Sequence, residues 1–174
     1  MPHATPPVEL AVRSLHLMAD GDRAEFERVY RPTAVDRDST VQPPASRVPG
    51  PAGFWATALW LRAAVGRLRY DVRAAITDGD LVAVHSAMHG THTGEWVFYT
   101  AQGAVDAVFP PTGRPFVMTE SHWFRIEQGA IAEHWADHDA LGTARQLGWI
   151  PPGPAYLGRM AVARRRAITR AERG

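Results

Sequence analysis

The sequence contains no cysteine and no lysine, and these two absences exclude several kinds of chemistry. Without cysteine there can be no disulfide, no thiolate zinc site and no thiol nucleophile. Without lysine there can be no Schiff-base catalysis, no covalently held pyridoxal phosphate and no phosphate-loop lysine, and all 19 basic residues are arginine. Any catalysis must therefore use Asp, Glu, His, Tyr, Ser, Thr or Arg side chains.

Long hydrophobic runs are also absent. No segment approaches the roughly 18 uninterrupted apolar residues that a membrane helix needs. The first ten residues lack the basic start and the apolar block of a secretory signal. The sequence therefore predicts a cytoplasmic protein with no membrane partner, and its formal net charge of +1 gives no general attraction to nucleic acid.

What remains is the composition of an ordinary globular domain. The chain has 174 residues, of which 45% are hydrophobic and 21% are charged, enough for one domain with its own core. We predict that residues 1–150 form this domain. Residues 151–174 are predicted to be an arginine-rich helical extension in solvent, with DNA binding as an alternative role.

The order of the predicted elements indicates an α+β fold. Apolar residues at helical spacing predict helices over 7–22, 22–30 and 53–68, separated by a turn-rich segment at 31–51. Period-two alternation predicts strands over 69–77, 81–92, 116–126 and 131–137, with a long connection at 93–115 and a closing helix capped by Asp139. Helices followed by a meandering sheet favour packing of the helices on one face of a curved antiparallel sheet. Such a sheet encloses an apolar interior suited to a small molecule.

Four motifs occur in order along the chain: HGTHTGE, PPTGR, FRIEQGAIAEHW and D-x-L-G-x-x-x-Q-L-G. Together with the helix-helix-helix-sheet plan, they resemble the SnoaL-like polyketide cyclases of the NTF2-like superfamily over about residues 8–150. The resemblance implies a cone-shaped α+β barrel, a homodimer or higher oligomer, and no cofactor or metal. It also implies that an acidic residue abstracts a proton from a polyketide ester and that the resulting enolate closes a ring.

The sequence departs from the family pattern in two places. The segment VFYTAQGAVDAVF lies between HTGE and PPTGR and makes this connection about ten residues longer than the short turn usual in the family. The family also often carries an Asn-His or Asp-His pair after the second helix, where this chain has Asp36-Arg37-Asp38. Asp36 and Asp38 could contribute polar groups to the pocket from this loop, or could only form a turn.

The strand at 116–126 supplies the first candidate site residues. One of its faces is an apolar row, with Met118 and Phe124, interrupted by Glu120 and His122. Buried polar groups must be hydrogen-bonded or line a cavity, so this face predicts a pocket in which His122, supported by Glu120, donates to an enolate oxygen. The alternative is that the opposite face, with Trp123, points inward.

The last strand supplies the candidate base. Parity places Trp135, Asp137 and Asp139 on one face, with His134 and His138 on the other. We predict Trp135 as a pocket wall and Asp139, or else Asp137, as the general base, because an Asp beside aromatic rings loses hydration and gains a higher pKa. Asp139 is the residue that aligns best with the family's acidic position. An Asp at the start of a helix is also an ordinary N-cap.

Two further segments are candidate parts of the pocket. Parity in the strand 81–92 points His92 inward, and the glycines of HGTHTGEW permit a bend that could deliver His92 to the pocket mouth. Trp55 of the third helix could contact substrate, although core packing is the commoner role. The aromatic residues of the insert, at 96–109, suggest a lid or a dimer contact.

The spacing of the histidines does not favour a metal site. His85 and His89, like His134 and His138, have the H-x-x-x-H spacing that binds zinc on a helix. On a strand the two members of each pair lie roughly 13 Å apart at 3.3 Å per residue, too far to share an ion.

These observations predict a cofactor-independent cyclase that acts by acid–base catalysis on an apolar polyketide-like substrate. The same pocket could instead serve a hydroxylase, an epoxide or lactone hydrolase, or a binding module without catalysis.

Overall fold

The computed structural model describes residues 5–173. Its α-helices are α1 (Pro7–Asp20), α2 (Arg23–Val29), α3 (Pro51–Ala64), α4 (Ala140–Leu147) and α5 (Pro154–Ala171). Its strands are β1 (Tyr30–Asp36), β2 (Val65–Asp78), β3 (Leu81–His92), β4 (Trp96–Tyr99), β5 (Val105–Phe109), β6 (Pro115–Glu127) and β7 (Ala130–His138). None of the helices within this part of the chain is long and apolar enough to cross a membrane.

The five main strands form one curved, mixed sheet in the order β1-β7-β6-β3-β2. The predicted α+β fold is confirmed, but the sheet is open at β1 and β2 and is not a closed barrel. It is also not purely antiparallel, because β1 pairs in parallel with β7. The sequence pattern missed β1 because Pro32 interrupts it; proline is tolerated on an edge strand, where no ladder hydrogen bond is lost.

The first three helices pack on one face of this sheet through a core of aromatic residues. Phe54 of α3 stacks on Tyr30 at 3.9 Å between ring centroids, and Phe26 of α2 stacks on the other side of Tyr30 at 5.9 Å. All three side chains are at most 2% exposed. This stack fixes α3 against β1. It thereby determines which face of α3 points to the interior of the sheet.

A β-bulge in β7 reverses the faces of the strand. Arg125 of β6 pairs with Glu133, whereas the next residue, Ile126, pairs with Ile131, so Ala132 is an extra residue. Because side chains alternate, one inserted residue turns every following side chain to the opposite face. Ile131 is fully buried in the core, and beyond the bulge the even-numbered residues from His134 onward point into the interior.

The predicted long connection at 93–115 contains a second, two-stranded sheet formed by β4 and β5. The helix α5 packs on this hairpin, with Ala163 and Ala167 buried against Val105 and Val108. The arginine-rich extension was expected to lie in solvent, and that expectation is wrong for this face of α5. The hairpin supplies the apolar surface on which the helix rests.

Candidate active site

A cavity of about 210 Å³ lies between α1, α3, the β4–β5 hairpin and the interior face of the main sheet. One water molecule needs roughly 10–15 Å³ of such space, so the cavity is large enough for an organic ligand. Its wall is mainly apolar and includes Leu15, Met18, Trp60, Met88, Phe98 and Trp149. Polar side chains are concentrated on the wall formed by β1, β6 and β7.

Four of these polar side chains form a continuous hydrogen-bonded row, here called the acid–imidazole row. Asp36 Oδ1 lies 3.2 Å from His134 Nδ1, and His134 Nε2 lies 3.1 Å from His122 Nδ1. His122 Nε2 lies 3.2 Å from Glu120 Oε2. All four residues line the cavity, and Glu120 and His122 are each only 6% exposed.

Three features of the sheet bring the row together. Alternation along β6 points Glu120 and His122 to the interior. The bulge in β7 turns His134 to the same side. The parallel pairing of β1 with β7 sets Asp36 beside His134, with the two Cα atoms as direct partners in the register.

Asp36 is held as a carboxylate by several donors. Besides His134, it accepts hydrogen bonds from the backbone N–H of Asp38 at 3.1 Å and from Nε2 of Gln42 at 3.5 Å. Gln42 is oriented in turn by the hydroxyl of Thr57, which donates to its Oε1 at 2.6 Å. Burial opposes ionisation of Asp36, but the hydrogen bond and charge of His134, with the other donors, hold its pKa below the usual value.

Asp38 lines the same wall, but its pKa is shifted in the opposite direction from that of Asp36. Burial raises its pKa above the usual value, and this outweighs the hydrogen bond that Oδ2 accepts from the backbone N–H of Ala136. Its other oxygen, Oδ1, accepts no hydrogen bond from the described part of the chain. Asp38 is thus a cavity-lining carboxylate with a raised proton affinity and a free oxygen.

Burial also shifts the pKa of His122, in the middle of the row, and of Tyr70 beside it. It lowers the pKa of His122 below the usual value, although the hydrogen bond and charge of Glu120 act in the other direction. Tyr70 lies over the His122 ring at 6.2 Å between centroids, and its hydroxyl donates to the sulfur of Met88 at 3.2 Å. Burial raises the pKa of Tyr70 far above its usual value, so the phenol stays neutral beside the row.

Several of the predicted site residues meet at this cavity. Met118, Glu120, His122 and Asp36 all line it. Phe124 is fully buried behind the wall, with its ring against those of His122 and His134 at 6.2 and 4.9 Å. The inward orientation predicted for this face of β6 is therefore confirmed.

The predicted orientation of the last strand is wrong. Trp135 lies on the outer face of the sheet, stacked on Trp123 at 6.3 Å, with the guanidinium of Arg37 4.7 Å above its ring. Asp137 is exposed on the same outer face. The bulge is the cause, because it exchanges the two faces after Ile131. Sequence parity alone contains no sign of it.

Asp139 is also outside the cavity. It is exposed, and its side chain accepts a hydrogen bond from the backbone N–H of Gly142 at 2.7 Å, which makes it the N-cap of α4. Trp55 lies on the other side of α3, against Phe26 and the guanidinium of Arg62. Neither residue reaches the pocket.

The segment HGTHTGEW leaves the sheet as a buried strand end. His92 is fully buried and points inward as predicted, but it lies behind the cavity wall, packed against Trp96 and Trp149 at 6.1 and 5.4 Å. Gly94 permits this path, because a Cβ there would lie 1.8 Å from the carbonyl oxygen of Ala63. The predicted position of His92 at the pocket mouth is wrong.

His134 is the main site residue that the sequence pattern missed, and Gln42 and Thr57 were missed with it. The segment YRPTAVD gives no alternating pattern that indicates β1, because Tyr30 and Ala34 are buried but Pro32 between them is exposed. The parallel pairing that sets Asp36 beside His134 therefore had no signal in the sequence. The donor atoms of Asp36, Asp38 and His134 lie within 4.8 Å of one another, a spacing that could suit a metal ion. An ion bound through His134 Nδ1 would have to replace its hydrogen bond with Asp36.

The fold and the cavity together define the class of the protein: an NTF2-like α+β domain with an apolar interior and a polar wall. A family model described as "SnoaL-like polyketide cyclase" matches residues 9–147, and the chain belongs to that family.

Individual relatives agree with this assignment. The chain is 29% identical over 156 residues, 86% of each chain, to aklanonic acid methyl ester cyclase DauD of Streptomyces sp. (strain C5). It is 33% identical over 106 residues, 60% of this chain and 66% of the relative, to the cyclase of the same description, DnrD, of Streptomyces peucetius. The solved structure of IdmH from Streptomyces antibioticus is similar with a TM-score of 0.62 and 27% identity, covering 83% of this chain and 99% of IdmH.

Proposed function

We propose that this protein closes a ring in a polyketide-like ester by intramolecular aldol addition, using acid–base catalysis within the cavity. The observation that carries the proposal is the placement of Asp38 and the acid–imidazole row on one polar wall of an otherwise apolar cavity. Two relatives named as cyclases of aklanonic acid methyl ester support a substrate of this chemical class.

In the proposed reaction Asp38 is the general base. Its carboxylate removes a proton from the carbon next to a carbonyl, and the electron pair of the C–H bond forms the enolate. A base is most effective when its pKa approaches the operating pH, and burial moves the pKa of Asp38 in that direction. The base is therefore assigned to Asp38, two residues after β1, and not to Asp139 or Asp137.

The second half of the reaction uses the acid–imidazole row. The enolate carbon attacks a second carbonyl carbon, the new C–C bond closes the ring, and the carbonyl oxygen becomes an alkoxide. Glu120, at the inner end of the row and hydrogen-bonded to His122, donates to the developing negative charge. A positioned donor of this kind contributes about 3 kcal/mol to transition-state stabilisation.

The apolar wall selects a flat, hydrophobic substrate. Trp60 and Phe98 are in edge-to-face contact at 5.6 Å, and Trp60 Nε1 donates to the carbonyl of Val97 at 2.7 Å, which ties the hairpin to α3. Aromatic side chains fixed in this way offer rigid surfaces for stacking. The hairpin is thus proposed as a part of the substrate-binding wall.

The decisive test is product analysis by mass spectrometry. Purified protein is incubated with a panel of aromatic polyketide methyl esters, with and without oxygen. Ring closure gives a product of unchanged mass and altered retention in both conditions. Oxygen-dependent gain of one oxygen atom would instead indicate a hydroxylase, gain of water a hydrolase, and saturable binding without any product a binding module.

Truncation of the hairpin wall tests the substrate-binding role. We expect Phe98→Ala to weaken binding of an aromatic polyketide ester roughly tenfold, because an aromatic contact is worth about 0.5–1.5 kcal/mol beyond its buried area. Binding can be followed by quenching of the cavity tryptophans. Tyr99→Ala is the matched control, since Tyr99 packs on the α5 side of the hairpin. Equal weakening by both variants would show that only hairpin stability had changed.

A further inference from the structure

We infer that the acid–imidazole row is a proton relay. It holds three protons, one more than two neutral imidazoles carry, and it delivers a proton to substrate at Glu120. The delivery step rests on the proposed function, whereas the proton count concerns the free protein. Glu120 is then a catalytic residue, and Asp36 and His134 are positioning residues that act through His122.

The proton count follows from the number of hydrogen bonds. The row contains three contacts of 3.1–3.2 Å, between Asp36 and His134, between the two imidazoles, and between His122 and Glu120. Each contact needs one proton between its two heavy atoms. Two neutral imidazoles supply two protons and two ionised carboxylates supply none. One contact would then set two lone pairs against each other, unless the row holds a third proton.

Burial explains why the row keeps that proton. Glu120 and His122 have side chains that are each 7% exposed, and Asp36 has a side chain that is 5% exposed. Two ionised carboxylates in such surroundings carry a large desolvation cost, and one bound proton reduces the net charge of the row from −2 to −1. With three protons, the row therefore carries a net charge of −1.

The ends of the row are not equivalent. Asp36 accepts hydrogen bonds from the Asp38 backbone N–H and from Gln42 in addition to His134, so the proton is not held there. Burial opposes a cationic His122. The remaining carriers are His134, which is near the carboxylates of both Asp36 and Asp38, and Glu120. Other titratable groups near the row are Tyr30 from β1 and Tyr70 from β2, whose phenols burial keeps neutral, and His138 from β7.

Delivery and reloading balance without an external reagent. With the third proton on His134, His134 is protonated on both ring nitrogens and His122 on Nε2. A proton moves from His122 Nε2 to Glu120 and another from His134 Nε2 to His122 Nδ1. The product alkoxide then takes the proton of Glu120, and exchange of tautomers by the two imidazoles restores the starting arrangement once a third proton has returned. The proton that Asp38 removed from carbon returns to the row at Asp36 and His134, whose donor atoms lie within 4.8 Å of the Asp38 carboxylate. The net change is one proton moved from carbon to oxygen, as aldol closure requires.

The proton count can be measured directly by NMR on the free protein. Chain labelled with ¹⁵N-histidine and with ¹³C in the Asp and Glu carboxyls is titrated, and the imidazole nitrogens and the carboxyl carbons of the row are assigned. At pH 7 we expect three protons over the four side chains, with Asp36 ionised. Two neutral imidazoles beside two ionised carboxylates at that pH would overturn the inference.

A variant separates the relay from general structural effects. In Glu120→Gln the amide N–H can donate to His122 Nε2, so no extra proton is needed. We expect both imidazoles to become neutral, with the proton on Nδ1. Glu133→Gln is the matched control, because Glu133 lies on the outer face and pairs with arginines; it should leave the count at three. A count of three retained in Glu120→Gln would contradict the assignment.

Activity then tests delivery. We expect Glu120→Gln to lower kcat for ring closure about 10²–10⁴-fold. It should also remove the limb of the pH–rate profile on which the rate falls as the general acid loses its proton. The kcat of the Glu133→Gln control should be unchanged. Wild-type turnover by Glu120→Gln would overturn the relay while leaving the cyclase proposal intact. No ring closure by the wild-type protein on any ester, with three protons counted, would contradict the cyclase proposal and support the proton inventory.

Discussion

Replacing Asp38 with asparagine is expected to lower kcat for ring closure by about 10²–10⁴-fold, the usual contribution of a positioned general base. The asparagine side chain has nearly the same shape, and its amide oxygen can still accept the hydrogen bond from the backbone N–H of Ala136. The fold should therefore survive while the proton acceptor is lost. Initial rates of product formation by liquid chromatography, with circular dichroism as a check on folding, measure the effect.

The control for this variant is Asp71→Asn. Asp71 is an exposed carboxylate on the outer face of β2, where it pairs with Arg69 and His89. Its replacement should leave kcat unchanged and should alter stability by no more than about 0.5 kcal/mol. If Asp38→Asn retained full activity in a folded protein, the base would have to be another group, and Glu120 would be the first alternative.

The largest effect on stability is expected for Phe54→Ala. Phe54 is 1% exposed and stacks on Tyr30, so its truncation removes a buried ring and leaves a cavity between α3 and β1. Changes of this kind cost about 3–5 kcal/mol of the free energy of unfolding. Equilibrium denaturation in urea, with the same slope for both proteins, measures the difference.

Leu59→Ala provides the comparison on the same helix. Leu59 is 48% exposed, so its truncation should change the free energy of unfolding by no more than about 0.5 kcal/mol. Similar losses for the two variants would mean that burial against β1 does not determine how much these two positions stabilise the protein. The Phe54 variant should also lose ligand affinity, because α3 carries Trp60 into the cavity wall.

The part of the site on β6 could be predicted from the sequence because it depends only on local alternation. An apolar row interrupted by Glu120 and His122 can be explained by a cavity, and the structure places both residues there. The fold class was predictable for the same reason. The change from helical spacing to period two is a local pattern, and a family resemblance along the chain added to it.

The part on β1 and β7 could not be predicted, because it depends on events outside any local window. The bulge at Ala132 exchanges the faces of β7, so His134 replaces Trp135 on the inner side. The pairing of β1 with β7 is parallel and joins segments far apart in the chain, and Pro32 hides β1 from the alternation pattern. Asp139 shows the opposite case: its position before α4 already indicated an N-cap, and that local role is the one observed.

The contact between Asp36 and His134 spans 98 positions of the chain and joins an edge strand to the last strand of the sheet. Bringing such distant segments together has an entropic cost that shorter contacts do not have, and contacts of this range are made slowly. The chain must therefore be synthesised through β7 before the two sides of the site can meet. A nascent or truncated chain that stops before β7 can form its first helices and the β2–β3 hairpin, but it has no acid–imidazole row. Formation of the row is thus a late event, and it reports that β1 and β7 have joined the sheet.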